Sequence, residues 1–356
     1  MKVMIAAGGT GGHIYPALAL AERIQKKEPG TEIVFFGSDN RMEAKLIPCK
    51  GYRFYGFTMS GMNGGMAAKA ASLFSLLKAE KYCRSILQKE KPSICIGFGN
   101  YISVPLIKAA HALKIPTMLH EQNSYAGKAN RFLAKYADAI VGCYESSLEQ
   151  FPIEKTKILG NPEAAQAADT VWDPHVLKTL GLDPKIPFIV FMMGSLGSSS
   201  VSKVIDEALP LLHSDFQVIA AAGRSNDYHF QYRSNERIKI VDYVDGKMML
   251  KGCSLAVVRA GATTMAEICA IGTPSILIPS PYVPNNHQYY NAMELVNASA
   301  ADIIEEKDLN AHILADTINA LMLDKDARVT MHENAAKLGK ADAADQIIDW
   351  IREIAE

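Results

Sequence analysis

The chain alternates short apolar runs with longer stretches in which apolar residues recur every three or four positions. Short continuous runs are typical of strands buried on both faces of a parallel sheet, and the longer periodicity is that of amphipathic helices. The first half has five such runs, at residues 2–7, 32–36, 93–96, 117–119 and 139–141. The second half has five more, at 188–193, 217–221, 238–244, 255–258 and 275–278. The pattern predicts an α/β protein with two successive units.

Proline pairs interrupt this pattern between the two halves. Asn161-Pro162, Asp173-Pro174 and Asp183-Pro184 occur within residues 158–187, and a residue that precedes proline avoids helical backbone. Each half begins with an apolar run that leads into glycine and then a helix. We therefore expect two Rossmann-like domains that face a cleft, at residues 1–160 and 161–340, with a linker near 159–165.

The composition excludes several classes of protein. With 49% hydrophobic and 21% charged residues, the chain has the balance of an ordinary globular protein. No apolar run approaches the roughly 20 residues of a membrane-spanning helix, and the N-terminal residues lack the pattern of an export signal. The six cysteines include no CxxC pair, so neither a zinc site nor a disulfide framework is indicated. These features predict a cytosolic protein with reduced cysteines.

The net charge of −1 hides an asymmetry between the halves. Residues 1–160 carry 21 Lys and Arg against 12 Asp and Glu, whereas residues 161–356 carry 16 against 26. A basic half favours an anionic partner such as phosphate groups or anionic lipid. Nucleic acid is disfavoured because no aromatic residues alternate with the basic ones. An ordinary solvated surface is the alternative interpretation.

The first glycine cluster, residues 8–13 with the sequence GGTGGH, precedes a helix predicted at about 17–27. Glycines let the backbone approach a ligand closely, and the start of a helix offers N–H groups to an anion, so a phosphorylated ligand is predicted. Ile14 replaces the third glycine of the dinucleotide motif, and the P-loop motif is absent. His13 is a candidate general base, and a structural or anion-contacting histidine is the alternative.

Polar or glycine-rich clusters follow other predicted strands. Residues 97–101 read GFGNY and would let a substrate lie close, and residues 120–123 read HEQN. The second cluster favours ligand hydrogen bonding or mutual packing over metal binding, because adjacent side chains seldom reach one ion. The glycines and hydroxyls of residues 194–200 suit hydrogen bonding to a diphosphate. The alternative interpretation is a flexible turn with a serine that caps the following helix. Glu267 fits either a carboxylate that binds ribose hydroxyls or a capping box with Thr264.

The last candidate segment is the proline-braced loop at residues 279–291, which leads into a helix. Its prolines reduce the entropy lost when the loop is fixed. The amides of Gln288 and Asn291 can bond sugar hydroxyls, with helix capping as the alternative for asparagine. No Asp-x-Asp follows a strand, so helix N-termini and backbone donors would stabilise a diphosphate leaving group without a metal ion.

Taken together, these loops resemble the MurG family of peptidoglycan synthesis, within glycosyltransferase family 28. The resemblance covers essentially the whole chain and rests on five segments in the same order: 8–13, 119–123, 160–162, 259–264 with Glu267, and 287–289 with Asn291. It implies a GT-B fold, inversion at the anomeric carbon, no cofactor and no metal. The implied reaction moves N-acetylglucosamine from UDP to the 4-hydroxyl of the N-acetylmuramoyl unit of undecaprenyl-linked lipid I, forming lipid II.

The resemblance also implies roles for individual residues. His13 becomes the leading candidate for the base that deprotonates the acceptor, while Tyr101, His120 and Glu121 shape the acceptor side. Residues implied to contact UDP-N-acetylglucosamine are Thr10, Gly11, Gly12, Asn123, Ser195, Val244, Ala262, Thr263, Glu267, Gln288 and Asn291. The chain departs from the family pattern at Glu163, where an arginine is common, and at Leu196, where a polar residue is common.

The lipid-linked acceptor implies work at the cytoplasmic face of the cell membrane, as a peripheral protein. Residues 66–87 form a candidate docking helix, because apolar and basic residues both occur along it. They are Leu73, Phe74, Leu76 and Leu77, with Lys69, Lys78, Lys81 and Arg84. An ordinary buried amphipathic helix is the alternative. The resemblance further implies that the C-terminal helix, residues 341–356, packs back on the first domain.

Three other functions fit the same residues. The first is a GT-B glycosyltransferase with a different lipid or small-molecule acceptor. The second is a UDP-N-acetylglucosamine 2-epimerase, which the lack of clustered carboxylates disfavours. The third is a non-catalytic sensor of UDP-sugars.

Overall fold

The computed structural model describes residues 1–59, 66–194, 197–223 and 227–355, without the side chains of 66–71. The chain folds into two compact units. Unit 1 consists of Met1–Glu163 and Asp342–Glu356, and unit 2 of Ala164–Ala341.

In the described residues, unit 1 contains a seven-stranded sheet whose neighbouring strands are all parallel. The strands are β1 (Lys2–Ala6), β2 (Glu32–Ser38), β3 (Arg53–Phe57), β4 (Ile94–Gly97), β5 (Thr117–Glu121), β6 (Ala139–Gly142) and β7 (Thr156–Ile158). The helices are α1 (Gly11–Lys27), α2 (Met42–Cys49), α3 (Met66–Glu90), α4 (Ser103–Ala112) and α5 (Lys128–Leu133). The strand order is β3-β2-β1-β4-β5-β6-β7. It reverses between β1 and β4, where open α/β sheets bind ligands.

Unit 2 repeats this layout with a six-stranded parallel sheet in the part of the chain that is described. Its elements are α6 (Glu163–Asp169), α7 (His175–Thr179), β8 (Phe188–Met192), α8 (Ser199–Ala208), β9 (Gln217–Ala221), β10 (Ile238–Val241), α9 (Gly246–Gly252), β11 (Leu255–Val258), α10 (Ala262–Ile271), β12 (Ser275–Leu277), α11 (His287–Asn297), β13 (Asp302–Ile303), α12 (Ala311–Leu323) and α13 (Lys325–Leu338). The strand order is β10-β9-β8-β11-β12-β13. The last helix, α14 (Ala343–Ala355), belongs to unit 1.

All ten predicted strands are present, with ends that differ by at most three residues. The structure adds β3, β7 and β13, each at an edge of its sheet. The predicted start of the first helix was wrong, because α1 begins at Gly11 rather than near residue 17. His13 therefore lies in the first turn of the helix and not in a loop before it.

The sheet of unit 1 separates two helical layers. On one face, Leu18 and Ile24 of α1 pack with Ile347 and Ile351 of α14. On the other face, α3 and α4 pack against the sheet in a second core that includes Leu87. Successive β1 residues alternate between these cores, as the pleat of a strand requires. The C-terminal helix and α3 therefore lie on opposite faces of the sheet.

Helix α14 is acidic and reduces the charge of unit 1. Unit 1 carries 22 Lys and Arg against 18 Asp and Glu, a net charge of +4, whereas residues 1–160 alone carry +9. Asp345 accepts two hydrogen bonds from Arg23 of α1, each 2.6 Å long, and also pairs with Lys27. Arg352 binds Glu28 at the other end of the same interface. Ion pairs and apolar contacts thus both hold α14 on α1.

We expect Asp345→Asn to destabilise unit 1 at neutral pH but not in acid. The two bonds from Arg23 lower the pKa of Asp345 to about 2, below its value of about 3.9 in an unfolded chain. The stabilisation is therefore complete above about pH 5 and is lost as the pH falls towards 2. Because the side chain is partly exposed, the expected difference in unfolding free energy is about 1 kcal/mol at pH 7.

Trp350 in α14 can report this unfolding by fluorescence if Trp172 is replaced by phenylalanine in every variant. Urea titrations at pH 7 and pH 2 would measure the difference. Asp349→Asn is the matched control, because Asp349 binds Arg352 only within α14. A difference between Asp345→Asn and the parent that persists unchanged at pH 2 would contradict the assigned ion pair.

Helix α3 has a buried face and an exposed apolar face. Ala79, Cys83, Ile86 and Leu87 are buried in the core, and Leu76 packs partly buried against it. Leu76 is thus less accessible than its neighbours, and its docking role stays a prediction. Exposed fractions on the outer face are 59% for Leu73, 72% for Phe74 and 54% for Leu77. The side chain of Lys69 lies outside the described residues. None of the described helices is both long and apolar enough to cross a membrane.

Candidate active site

The glycine cluster of unit 1 joins the carboxyl end of β1 to α1. Thr10 is the N-cap of α1 and has extended backbone, and His13 is the third residue of the helix. The hydroxyl of Thr10 lies 2.9 Å from Nδ1 of His13. When Nδ1–H donates to this hydroxyl, Nε2 keeps its lone pair and can accept a proton. The arrangement suits a general base at a helix N-terminus.

The loop after β4 lies against the His13 ring. Gly99 has a positive φ of 87°. A Cβ atom at Gly99 would lie 3.2 Å from Cδ2 of His13 and 3.3 Å from Nδ2 of Asn130. Glycine is therefore required both by the backbone and by the two side chains that approach it. This contact places His13 beside the loop at residues 97–101, which the sequence also identified.

His120 is buried and packs against the loop that follows β4. Its ring stacks on Phe98 with 4.9 Å between centroids, and its Nε2 lies 3.1 Å from the carbonyl of Gly160. The Gln122 amide lies 3.0 Å from Nδ1. An amide N–H that donates to Nδ1 leaves Nε2–H to donate to Gly160. Burial lowers the pKa of His120 to about 4, so the ring is neutral at physiological pH.

Glu121 is also buried and fixes the loop that follows β5. It accepts hydrogen bonds from the backbone N–H of Asn123 (3.1 Å) and Gly127 (3.0 Å). It also accepts from the side-chain amide of Asn130, at 2.9 Å. His120 and Glu121 thus have packing and hydrogen-bond contacts within the protein, which favours the second of the two interpretations drawn from this cluster. Sequence reasoning missed Asn130, a polar residue in the interior of a short helix.

Tyr101 lies half-buried after β4. Its ring lies under the guanidinium of Arg41, which is 5.7 Å from the ring centroid. Within the described residues, its hydroxyl is buried and has no hydrogen-bond partner. An unpaired buried hydroxyl costs free energy, so this group has the capacity to bond a ligand.

In unit 2, Arg259 joins several loops at the carboxyl edge of the sheet. This buried side chain donates to the hydroxyl of Ser198 (2.7 Å), the carbonyl of Ile278 (3.1 Å) and the carboxylate of Glu306 (2.9 Å). Ser200 also donates to Glu306, at 2.7 Å. Ser198 is the N-cap residue of α8, but its hydroxyl does not cap the helix. The network fixes Ser198 and Ser200 at the start of α8. Ser195 and Leu196 lie outside the described residues.

The glycine turn after β11 leads directly into α10. The N-cap is Gly261, and Ala262 and Thr263 are the first two residues of the helix. The capping-box interpretation of Thr264 and Glu267 was therefore wrong, because Thr264 lies inside the first turn. Glu267 lies one turn further along and is half-buried. Among the described residues, the buried hydroxyl of Thr263 has no hydrogen-bond partner.

The remaining predicted donor residues have mainly structural contacts. Gln288 uses its side-chain oxygen to accept the backbone N–H of Ser280, at 2.8 Å. Asn291 is fully buried and donates to the carbonyl of Ala260 at 3.3 Å. Val244 packs, half-buried, against the core of unit 2. Asn291 thus holds α11 on the turn before α10, and its direct contact with a sugar stays a prediction. Among the described residues, no group of His, Cys, Asp or Glu side chains could hold a metal ion.

Two domain families match the chain. Residues 3–141 match the glycosyltransferase family 28 N-terminal domain, and residues 188–347 match the glycosyltransferase family 28 C-terminal domain. Each match falls on one parallel α/β unit with glycines after its first strand. The fold and these matches define the class of the protein as a GT-B glycosyltransferase.

Curated relatives extend this match to the full length of the chain. A Pediococcus pentosaceus protein is 38% identical over 371 aligned residues, which cover 100% of both chains. A Lactiplantibacillus plantarum protein is 36% identical, with 98% of each chain covered. Both are named UDP-N-acetylglucosamine–N-acetylmuramyl-(pentapeptide) pyrophosphoryl-undecaprenol N-acetylglucosamine transferase. The chain belongs to the family of these transferases, the MurG family.

Solved structures share the fold. MurG of Acinetobacter baumannii superposes with a TM-score of 0.81 at 24% identity, and 99% of each chain is covered. A putative UDP-N-acetylglucosamine 2-epimerase from Listeria monocytogenes has a TM-score of 0.70 at 14% identity, covering 99% of this chain and 96% of that one. Transferases and epimerases thus share this fold, so the fold alone does not identify the reaction.

Proposed function

We propose that this protein transfers N-acetylglucosamine from UDP-N-acetylglucosamine to the 4-hydroxyl of the N-acetylmuramoyl unit of lipid I, which forms lipid II in peptidoglycan synthesis. The observation that carries the proposal is the His13–Thr10 pair beside Gly99, in a chain whose full-length relatives are named for this transfer. The reaction inverts the anomeric carbon in a single displacement.

His13 is the general base of the proposed reaction. Its Nε2 accepts the proton of the acceptor hydroxyl while that oxygen forms a bond to the anomeric carbon. The bond from that carbon to the diphosphate oxygen breaks in the same step, and UDP leaves with the electron pair. Thr10 stabilises the resulting imidazolium, because its hydroxyl oxygen can accept Nδ1–H. The same bond orients the ring throughout the reaction.

Donor and acceptor phosphates are bound by helix N-termini. In unit 2, the starts of α8 and α10 present N–H groups to the UDP diphosphate, with Ser195, Ala262 and Thr263. Glu267 binds the ribose, Gln288 and Asn291 bind the transferred sugar, and Val244 contacts the uracil. In unit 1, Thr10, Gly11, Gly12 and Asn123 contact the donor or the acceptor diphosphate, while Tyr101, His120 and Glu121 shape the acceptor side. N–H groups of first helical turns lack intrahelical partners, which supports these assignments.

The exposed face of α3 in unit 1 docks on an anionic membrane surface. Leu73, Phe74 and Leu77 form an exposed apolar group on α3, and Lys78 and Lys81 are exposed beside them. Residues 66–135 carry 11 Lys and Arg against 3 Asp and Glu, and one of these acids, Glu121, is buried. The acidic α14 lies across the sheet and does not offset this charge locally. Apolar side chains amid basic ones are typical of interfacial helices, which supports a peripheral location at the cytoplasmic face.

The test is transfer of labelled N-acetylglucosamine from the UDP donor to a short-chain lipid I analogue in the presence of a chelator. We expect a lipid II analogue with inverted anomeric configuration. Transfer only to a different acceptor would replace the proposed substrate, and scrambling at the second carbon of the sugar would identify an epimerase. Tight UDP binding without any turnover would favour a sensor.

A further inference from the structure

Glu43 is a fully buried carboxylate next to the glycine cluster, and the reaction proposed above does not use it. It lies in the first turn of α2, where the helix dipole favours a negative charge. Its oxygens accept the backbone N–H of Gly9, at 3.2 and 3.3 Å, and of Ser38, at 3.1 Å. Gly9 follows β1 and Ser38 ends β2, so a single carboxylate joins the carboxyl ends of two neighbouring strands.

The glycines around Glu43 leave room for its side chain. A Cβ atom on Gly8 would overlap Oε1 of Glu43 and lie 2.7 Å from Cδ. A Cβ atom on Gly37 would lie 2.7 Å from Cγ. On the other side of the loop, a Cβ atom on Gly9 would overlap the amide of Asn100. The loop is thus held between the carboxylate of Glu43 and the amide of Asn100.

This arrangement determines which way the loop faces. The N–H of Gly9 points inward to Glu43, so the loop turns before Thr10, and Gly11 and Gly12 begin α1 with their N–H groups at the helix start. His13 follows within the same turn and is bonded to Thr10. The position of the imidazole therefore depends on the anchored loop.

We infer that Glu43 is a positioning residue for transfer, which holds the residue 8–12 loop so that His13 reaches the acceptor hydroxyl. This inference rests on the role of His13 proposed above. A displacement of about 1 Å in a catalytic group can cost about 100-fold in rate. Loss of the Glu43 carboxylate should therefore lower kcat, whereas the donor, proposed to bind mainly on unit 2, should keep its KM.

The experiment compares steady-state transfer by wild type, Glu43→Ala and Glu43→Gln. We expect kcat to fall by about 10²-fold for Glu43→Ala and by about 10-fold for Glu43→Gln, with the KM for UDP-N-acetylglucosamine changed by less than about threefold. Asp138→Asn is the matched control. Asp138 accepts the N–H and hydroxyl of Thr117, both at 2.8 Å, at the amino ends of β5 and β6, whereas Glu43 lies at the carboxyl ends of β1 and β2. The Asp138→Asn variant should be less stable than wild type but should keep the wild-type kcat.

A double-mutant cycle with Gly8→Ala tests the packing directly. Gly8→Ala should lower kcat strongly in the wild-type background and little further in Glu43→Ala, because removing the carboxylate also removes the clash. Additive effects of the two substitutions would overturn the inference. So would a folded Glu43→Ala and a folded Glu43→Gln that both keep wild-type kcat.

A wrong reaction assignment and a wrong role for Glu43 give different results. If wild type transfers nothing to the lipid I analogue, the reaction assignment is wrong. The NMR signals of the His13 ring then test only whether Glu43 holds the residue 8–12 loop in place. Those signals should shift in Glu43→Gln and stay unchanged in Asp138→Asn. Unshifted signals in Glu43→Gln would refute the anchoring role.

Discussion

Replacement of His13 by alanine is expected to lower kcat for transfer to the lipid I analogue by about 10²–10⁴-fold, the usual contribution of a general base. In the proposed reaction the imidazole Nε2 accepts the acceptor proton, and alanine would leave only water to do so. The KM for UDP-N-acetylglucosamine should change by less than about threefold, because the side chain acts mainly in the transition state. Rates of label transfer at saturating donor measure this directly.

Two further measurements make the His13 result specific. Added imidazole should restore part of the lost rate in His13→Ala, because it can occupy the vacated space and accept the proton. His111→Ala, which removes an exposed histidine of α4 in the same unit, should keep the wild-type rate. Equal rates for His13→Ala and wild type would remove the base role and leave His13 as a structural residue.

Replacement of Leu73, Phe74 and Leu77 together by serine is expected to lower binding to anionic vesicles by about 10²-fold. Each side chain is more than half exposed, and insertion of each into the membrane surface contributes roughly 1 kcal/mol. Transfer to vesicle-embedded acceptor should fall in parallel. Transfer to a water-soluble acceptor analogue should keep its rate, because none of these side chains lies among the proposed catalytic residues. Sedimentation with vesicles measures the partition.

The matched control removes exposed apolar residues elsewhere. Ile153, Val171 and Leu323 are 70%, 79% and 61% exposed and lie outside α3, so their joint replacement by serine should leave vesicle binding unchanged. High salt should weaken vesicle binding of wild type by screening the basic residues. The α3 variant should still bind vesicles more weakly than wild type in high salt. Equal losses in both triple variants would show that α3 has no special part in docking.

The sequence predicted the central strands because they are buried on both faces. In β1 the residues from Val3 to Ala6 form a continuous apolar run, as do all four residues of β11, and these residues are fully buried. The three strands that were missed are edge strands, which proteins keep short and polar. Of these, β3 begins with the exposed Arg53, and β13 has only two residues. The edge strand β10 was predicted, because three of its four residues are apolar. An apolar pattern therefore identifies edge strands less reliably than central ones.

The candidate site was predicted in part for a similar reason. Glycine and polar residues after strands identified the loops that contain His13 and Glu121, because such residues are unusual at the end of a buried run. The start of α1 was misplaced, since glycine disfavours helix and gives no sign that one has begun. Arg259 and Glu43 were not assigned their contacts, because their partners are backbone groups or side chains distant in sequence. Only the fold brings those groups together.

The packing of α14 on unit 1 makes unit 2 an insertion within unit 1. During synthesis, all of unit 2 is translated before the last helix of unit 1. Unit 1 therefore cannot complete its fold earlier, and an apolar strip on α1, with Leu18 and Ile24, stays without α14 until that helix has been made. Unit 1 is therefore the first unit whose synthesis begins and the last whose synthesis is completed.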